Sequence, residues 1–78
     1  MQPYANLAGD SGIVAYEIGD RFIRIRFHGS RGIYVYSTPE LPAAKIERMK
    51  QLAAAGRGLA TYINRNADVR NGYSSIEE

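Results

Sequence analysis

Apart from the adjacent Phe22-Ile23, polar and apolar residues alternate along residues 21–27, Arg-Phe-Ile-Arg-Ile-Arg-Phe, and again along residues 32–36, Gly-Ile-Tyr-Val-Tyr, with only His28-Gly29-Ser30-Arg31 between them. Side chains of a strand point to opposite faces in turn, so this pattern predicts two half-buried strands joined as a hairpin. Only one face of each strand can then meet a core. Which face it is depends on how the strands are paired.

Residues 13–18 form a further strand, and Gly19-Asp20 is a tight turn leading into the next one. Pairing Ile18 with Arg21 across that turn sets Tyr16 opposite Ile23 and Val14 opposite Ile25 on a shared core face. For the following strand, a three-residue connection Ser30-Arg31-Gly32, with Gly32 left-handed, pairs Phe27 with Val35 and Arg26 with Tyr36. In this preferred register Ile33 and Val35 join the core. Tyr34, Tyr36, Arg24, Arg26 and His28 then share the opposite face. A loop one residue longer or shorter reverses the strand, and Tyr34 and Tyr36 pack instead against Ile25 and Phe27.

The predicted class is α+β, a three-stranded antiparallel sheet in order 1-2-3 followed by two helices packed on one face. Thr38-Pro39-Glu40-Leu41-Pro42 is a loop in which the prolines delay helix entry, and Pro42 suits a first helical turn. The first helix covers residues 42–55, with Ile46, Met49, Leu52 and Ala53 along one side, and Gly56 stops it. Residues 59–66 form a second, burying Leu59, Tyr62 and Ile63. Ile23, Ile25, Phe27, Ile46, Met49, Leu52 and Ile63 are the expected buried centre. Residues 1–10 read as a flexible N-terminus, 11–73 as the single domain, and 74–78 as a flexible acidic tail, with Tyr73 able to dock.

With 78 residues the chain is close to the size at which one core supplies only about 3–5 kcal/mol, so self-association would help it. A hydrophobic content of 45% is too high for a disordered chain. The sequence has no cysteine, which removes disulfides, thiolate metal sites and a cysteine nucleophile. The first residues have neither a basic nor an apolar leader region, and no run approaches the ~20 apolar residues of a membrane span. The expectation is a soluble, cytoplasmic protein with no membrane partner.

Charge is distributed unevenly. Residues 1–20 contain only the acids Asp10, Glu17 and Asp20, after which Arg21, Arg24, Arg26 and Arg31 follow with no acid between them. Lys45, Arg48, Lys50, Arg57, Arg65 and Arg70 are set against Glu47 and Asp68, and Glu77 and Glu78 close the chain. Arginine outnumbers lysine eight to two, and the planar guanidinium pairs phosphate at two points and stacks on aromatic rings.

Catalytic chemistry finds little to stand on. His28 is the only histidine, so neither a conventional triad nor a histidine metal site can be completed, and it reads as a solvated strand end. Gly56-Arg57-Gly58 lacks the spacing and the lysine of a phosphate loop. Glu17 and Asp20 suit an ion pair and a turn better than acid–base work. The chain reads as a non-enzyme without cofactor or metal.

The order of a short strand, an alternating strand ending at Phe27, a glycine-containing turn, Tyr34-Val35-Tyr36, Pro42, a helix ending at Gly56, and Tyr62-Ile63-Asn64 resembles the KTSC domain. That domain is named for the carboxyl end of some lysyl-tRNA synthetases and also occurs as a small bacterial protein. The resemblance covers residues 11–73. Tyr34 and Tyr36 match its Tyr-x-Tyr, Pro42 and Gly56 keep its separation, and Tyr62-Ile63-Asn64 is similar to its Tyr-Phe-Asn. Two features differ: Gly56-Arg57-Gly58-Leu59 lengthens the interval before Tyr62, and the turn before Tyr34 is a residue longer. The resemblance implies this fold and a suggested RNA-binding role, with no established activity.

The functional expectation is a binding module for RNA or other single-stranded nucleic acid on an arginine and tyrosine sheet face. Its site residues would be Arg24, Arg26, Arg31, Tyr34, Tyr36, Arg57 and Arg65. The alternative is a protein-interaction or self-assembling module, such as a homodimer, that uses residues 33–36 as an open edge strand.

Overall fold

The computed structural model describes residues 1–9 and 12–77. Asp10 and Glu78, counted among the acids above, and Ser11, the expected start of the domain, lie outside them. Five strands, β1 (Gln2–Pro3), β2 (Ile13–Ile18), β3 (Phe22–Phe27), β4 (Ile33–Ser37) and β5 (Ser75–Glu77), make one antiparallel sheet in sequence order. Between β4 and β5 run α1 (Ala43–Ala55), α2 (Leu59–Arg65) and the short α3 (Ala67–Arg70). The α+β class and the antiparallel sheet followed by helices are as expected. The sheet, however, has five strands where three were expected, because the chain ends pair on its two edges.

At the amino end, Gln2 and Pro3 lie opposite Tyr16 and Ala15. The Tyr4 N–H donates to the Val14 carbonyl at 2.9 Å, and the Tyr4 ring is buried with its hydroxyl accepting from the Leu59 N–H at 3.4 Å. At the other end, Val35 pairs with Ser75 and Ile33 with Glu77. Residues 33–36 are therefore an interior strand. The expected open edge at residues 33–36 is thus occupied by β5.

The β2–β3 connection is longer than a two-residue turn. The Gly19 N–H donates to the Phe22 carbonyl at 2.9 Å, and Ile18 faces Ile23, not Arg21. A slip of two residues keeps every side chain on its face, so Tyr16, Ile23 and Ile25 still point into the core. Val14 does not. Ile13 pairs with Phe27 while Ala15 pairs with Arg26, which leaves Val14 as the extra residue of a bulge. Ile13 is consequently buried and Val14 is 43% exposed.

The β3–β4 register departs by an odd number. Arg26 faces Ile33 and Ile25 faces Tyr34, whereas the preferred reading set Arg26 opposite Tyr36. The turn is built on Gly29, whose φ of 78° only glycine adopts without strain. Ser30 completes it: its Oγ accepts from the Gly32 N–H at 3.2 Å. Gly32 does not have a positive φ. The strand is thereby reversed, placing Tyr34 and Tyr36 on the core face and Ile33 and Val35 on the other.

Pro42 caps α1, and Gly56 ends it in the left-handed conformation with its N–H donating to the carbonyls of Leu52 and Ala53. A side chain at Gly56 would also press on Ala5, since a Cβ there would lie 2.6 Å from the Ala5 Cβ. Ile46, Met49 and Ala53 of α1, Leu59 and Ile63 of α2, and Val69 of α3 close over Ile23, Ile25 and Tyr36. Phe27 and Leu52, expected at the centre, are half-buried at its margins. Lys50 ties the helix to the sheet by donating to the Asp20 carbonyl at 2.9 Å. Among the described residues no helix is long and apolar enough to cross a membrane.

Ile25 is fully buried on the covered face and Val14 stands out on the bulge. Truncating Ile25 to alanine is expected to cost about 2–5 kcal/mol, most of the stability of a domain this small. Val14→Ala should cost under about 1 kcal/mol. Urea denaturation of both variants checks the assignment of faces, which similar losses would overturn.

Candidate functional site

The reversed β4 brings four aromatic rings together beside α2. Phe27 meets Tyr34 edge to face with ring centres 5.3 Å apart, and Tyr34 meets Tyr73 the same way at 5.0 Å. Tyr73 also stands edge-on to Tyr36 at 6.4 Å. Such edge-to-face pairs add roughly 0.5–1.5 kcal/mol each to the burial of the rings. Tyr73 is carried into the cluster by the chain leaving α3, because the Ser74 N–H donates to the Val35 carbonyl at 2.7 Å and β5 follows directly.

The rings line a cleft of about 310 Å³, with Ile63 and Asn64 of α2, Ser30 of the β3–β4 turn and the exposed Arg70 of α3 around them. Tyr36, 2% exposed, is the most buried of the aromatic rings. Burial pushes its phenol up from 10.0 to about 12, and the neighbouring Tyr34 and Tyr73 hydroxyls add to the rise. Its O–H therefore stays protonated over the whole physiological range. The cleft offers flat apolar walls, polar groups of Ser30, Asn64 and the tyrosines, and a guanidinium.

The residues expected to form one interface fall into separate places. Tyr34 and Tyr36 are in this cleft, on the covered face. Arg24 and Arg26 are on the open face, so the combined arginine and tyrosine sheet surface does not exist. The odd register is the reason. Arg24 is moreover engaged, donating to Glu77 across β4 and lying 3.4 Å from Glu17. Arg26 is exposed on that side, and His28 and Arg31 in the β3–β4 turn, Arg57 in the α1–α2 turn and Arg65 at the end of α2 are exposed. The cleft residues not anticipated as site residues are Phe27, Ser30, Ile63, Asn64, Arg70 and Tyr73. Tyr73 had a signal, an aromatic residue standing directly after the Asn71-Gly72 stop.

A second pattern concerns which cations are engaged. Among the described residues the ion pairs are Arg24 with Glu17 and Glu77, Lys45 with Asp68, and Lys50 with Glu47. The Lys45 ammonium, hydrogen-bonded to Asp68, holds that carboxyl below its usual range. Arg48, Arg57, Arg65 and Arg70 have no carboxylate partner among the described residues. The helical half thus presents four guanidinium groups that no acid neutralises there.

Comparison with protein-family models, with curated proteins and with solved structures finds no match.

The Tyr36 phenol gives a pH-dependent readout of the cleft. In the unfolded chain it ionises near 10.0, whereas in the fold it keeps its proton to about 12. Between those values the native state binds more protons, so its contribution is intact below the lower value and is lost as pH rises through the upper one. Urea stability should fall more between about pH 9 and about pH 11 in the wild type than in Tyr36→Phe. Equal falls in both proteins would place the phenol in water.

Proposed function

We propose that this chain is a small non-enzymatic module that binds single-stranded nucleic acid, with RNA as the natural form, through the aromatic cleft beside α2. The observation that carries the reading is the grouping of Phe27, Tyr34, Tyr36 and Tyr73 with Arg70 and Asn64 around one opening. A nucleobase is a flat ring with polar edges, and it is held by aromatic contact plus a few hydrogen bonds from groups such as Asn64 and Ser30. The volume of about 310 Å³ is at the lower end of the ~300–1,000 Å³ of small-molecule pockets and suits one base. Arg70 stands where a phosphate next to that base could be met.

Two further features support the reading. The unpaired arginines of the helical half provide the sequence-independent attraction that a polyanion needs. The resemblance of residues 11–73 to the KTSC domain, for which RNA binding has been suggested, points to the same ligand class. The Tyr-x-Tyr of that resemblance would then act through the covered face and its cleft, and the open face with Arg24 and Arg26 would have no direct part.

A short uridine oligonucleotide should bind weakly at low salt, and its affinity should fall as salt rises, with a log–log slope of about 0.7 per neutralised phosphate. Tyr73→Ala should cost about 1–3 kcal/mol of binding with the slope kept. Arg70→Gln should lower the slope, and Arg26→Ala should change little. Fluorescence anisotropy at two salt concentrations distinguishes these outcomes. Loss of binding in Arg26→Ala with none in Tyr73→Ala would move the site to the open face and contradict the proposal.

A further inference from the structure

On its other side α2 borders a second concavity of about 350 Å³. Arg48 and Leu52 of α1 face Thr61, Tyr62 and Arg65 of α2 across it, with Asn66 at one end. Tyr62 and Arg65 are three residues apart and so lie on one side of the helix, whereas Ile63 and Asn64, which line the aromatic cleft, are turned away from them. The two openings are therefore separated by the body of one short helix. With side chains that body is about 10 Å across.

The second opening is lined by two arginines and no acid. The carboxylates of the helical half are Glu47 and Asp68, and both are bridged by lysines, Lys50 at 2.9 Å and Lys45. Arg48 and Arg65 are left with no carboxylate among the described residues; Arg48 has only a 3.4 Å hydrogen bond to Gln51. Two unneutralised guanidinium groups over a floor of half-buried Leu52 and Tyr62 match a phosphate flanked by a sugar or base. Asn66 is held in place by donating to the Tyr62 carbonyl at 2.8 Å, which also steadies the end of α2.

We infer that Arg48 and Arg65 form a phosphate subsite, and that the ligand is an oligonucleotide that crosses α2 with one base in the aromatic cleft and backbone phosphate in the second. The inference rests on the nucleic-acid reading given above and extends it from a ligand class to a path and a minimum length. A mononucleotide fills one cleft only.

The test compares uridine monophosphate with a uridine hexanucleotide on the wild type, on Arg48→Gln/Arg65→Gln and on Tyr73→Ala, by calorimetric or NMR titration at two salt concentrations. Both arginines are exposed, and circular dichroism verifies folding of each variant. The double arginine variant should weaken the hexanucleotide on the order of tenfold, weaken the monophosphate far less, and reduce the hexanucleotide's salt slope by about 0.7 for each phosphate that is no longer neutralised. Tyr73→Ala should weaken both ligands. If the hexanucleotide binds and Tyr73→Ala weakens it while the arginine variant does not, the subsite is overturned and the aromatic-cleft reading stands. Equal weakening of both ligands by the arginine variant also overturns it, since that is diffuse attraction and not a subsite. No binding of either ligand to the wild type overturns both readings.

Discussion

The pairing of Ile25 with Tyr34 and of Ile23 with Tyr36 decides which half of the sheet the helices cover. Once β4 is set this way, its two tyrosines must share the core with Ile46, Met49 and Ile63, and its aliphatic residues Ile33 and Val35 turn to the open face. Tyrosine suits that position because its ring buries well while its hydroxyl prefers a wet or polar margin. The margin is the cleft. Tyr36 forms its deep side, Tyr34 and Phe27 its middle, and Tyr73 its outer wall. Had the register moved by one residue, neither cleft nor core would exist in this form.

The same pairing distributes the charges. Arg24 is placed on the open face between Glu17 of β2 and Glu77 of β5, where one guanidinium links three strands. An exposed network of this kind adds little stability, but it accounts for the acids on that side. On the helical side Lys45 and Lys50 bind the two carboxylates of residues 43–72, and the arginines remain without an acid. On that side the neutralising cations are both lysines, whereas on the open face it is Arg24 that pairs the acids. Arg48, Arg57, Arg65 and Arg70 therefore share the helical half with the aromatic cleft, while Arg21, Arg26 and Arg31, also without an ion pair among the described residues, lie at β3 and its following turn.

The parts of this arrangement that can be read from sequence are those with a repeating signal. Three strands followed by a helix bounded by Pro42 and Gly56 are visible because alternation and helix punctuation are strong local cues. The inward set Tyr16, Ile23 and Ile25 is legible even with the β2–β3 turn read too short, because an even slip preserves faces. The orientation of β4 is not. His28-Gly29-Ser30-Arg31-Gly32 has two glycines, and the choice of Gly29 as the left-handed residue is worth an odd shift that no side-chain pattern announces. The bulge at Val14 leaves no trace in the alternation either. β1 and β5 are two and three residues long, too short to show any period, so the chain ends read as loose. The aromatic cleft is hidden for a compound reason, since it needs both the reversed β4 and the pairing of β5 that brings Tyr73 back.

The central claim, that the ligand meets the covered side beside α2 and not the open sheet, is tested most directly by mapping amide chemical-shift changes while a uridine hexanucleotide is added to the isotope-labelled protein. The account predicts that the signals of Ser30, Tyr34, Asn64, Arg65, Arg70 and Tyr73 move together with saturation. It equally requires those of Glu17, Arg24, Arg26 and Val35 to stay in place. Saturable movement of the open-face set with a silent cleft would contradict it.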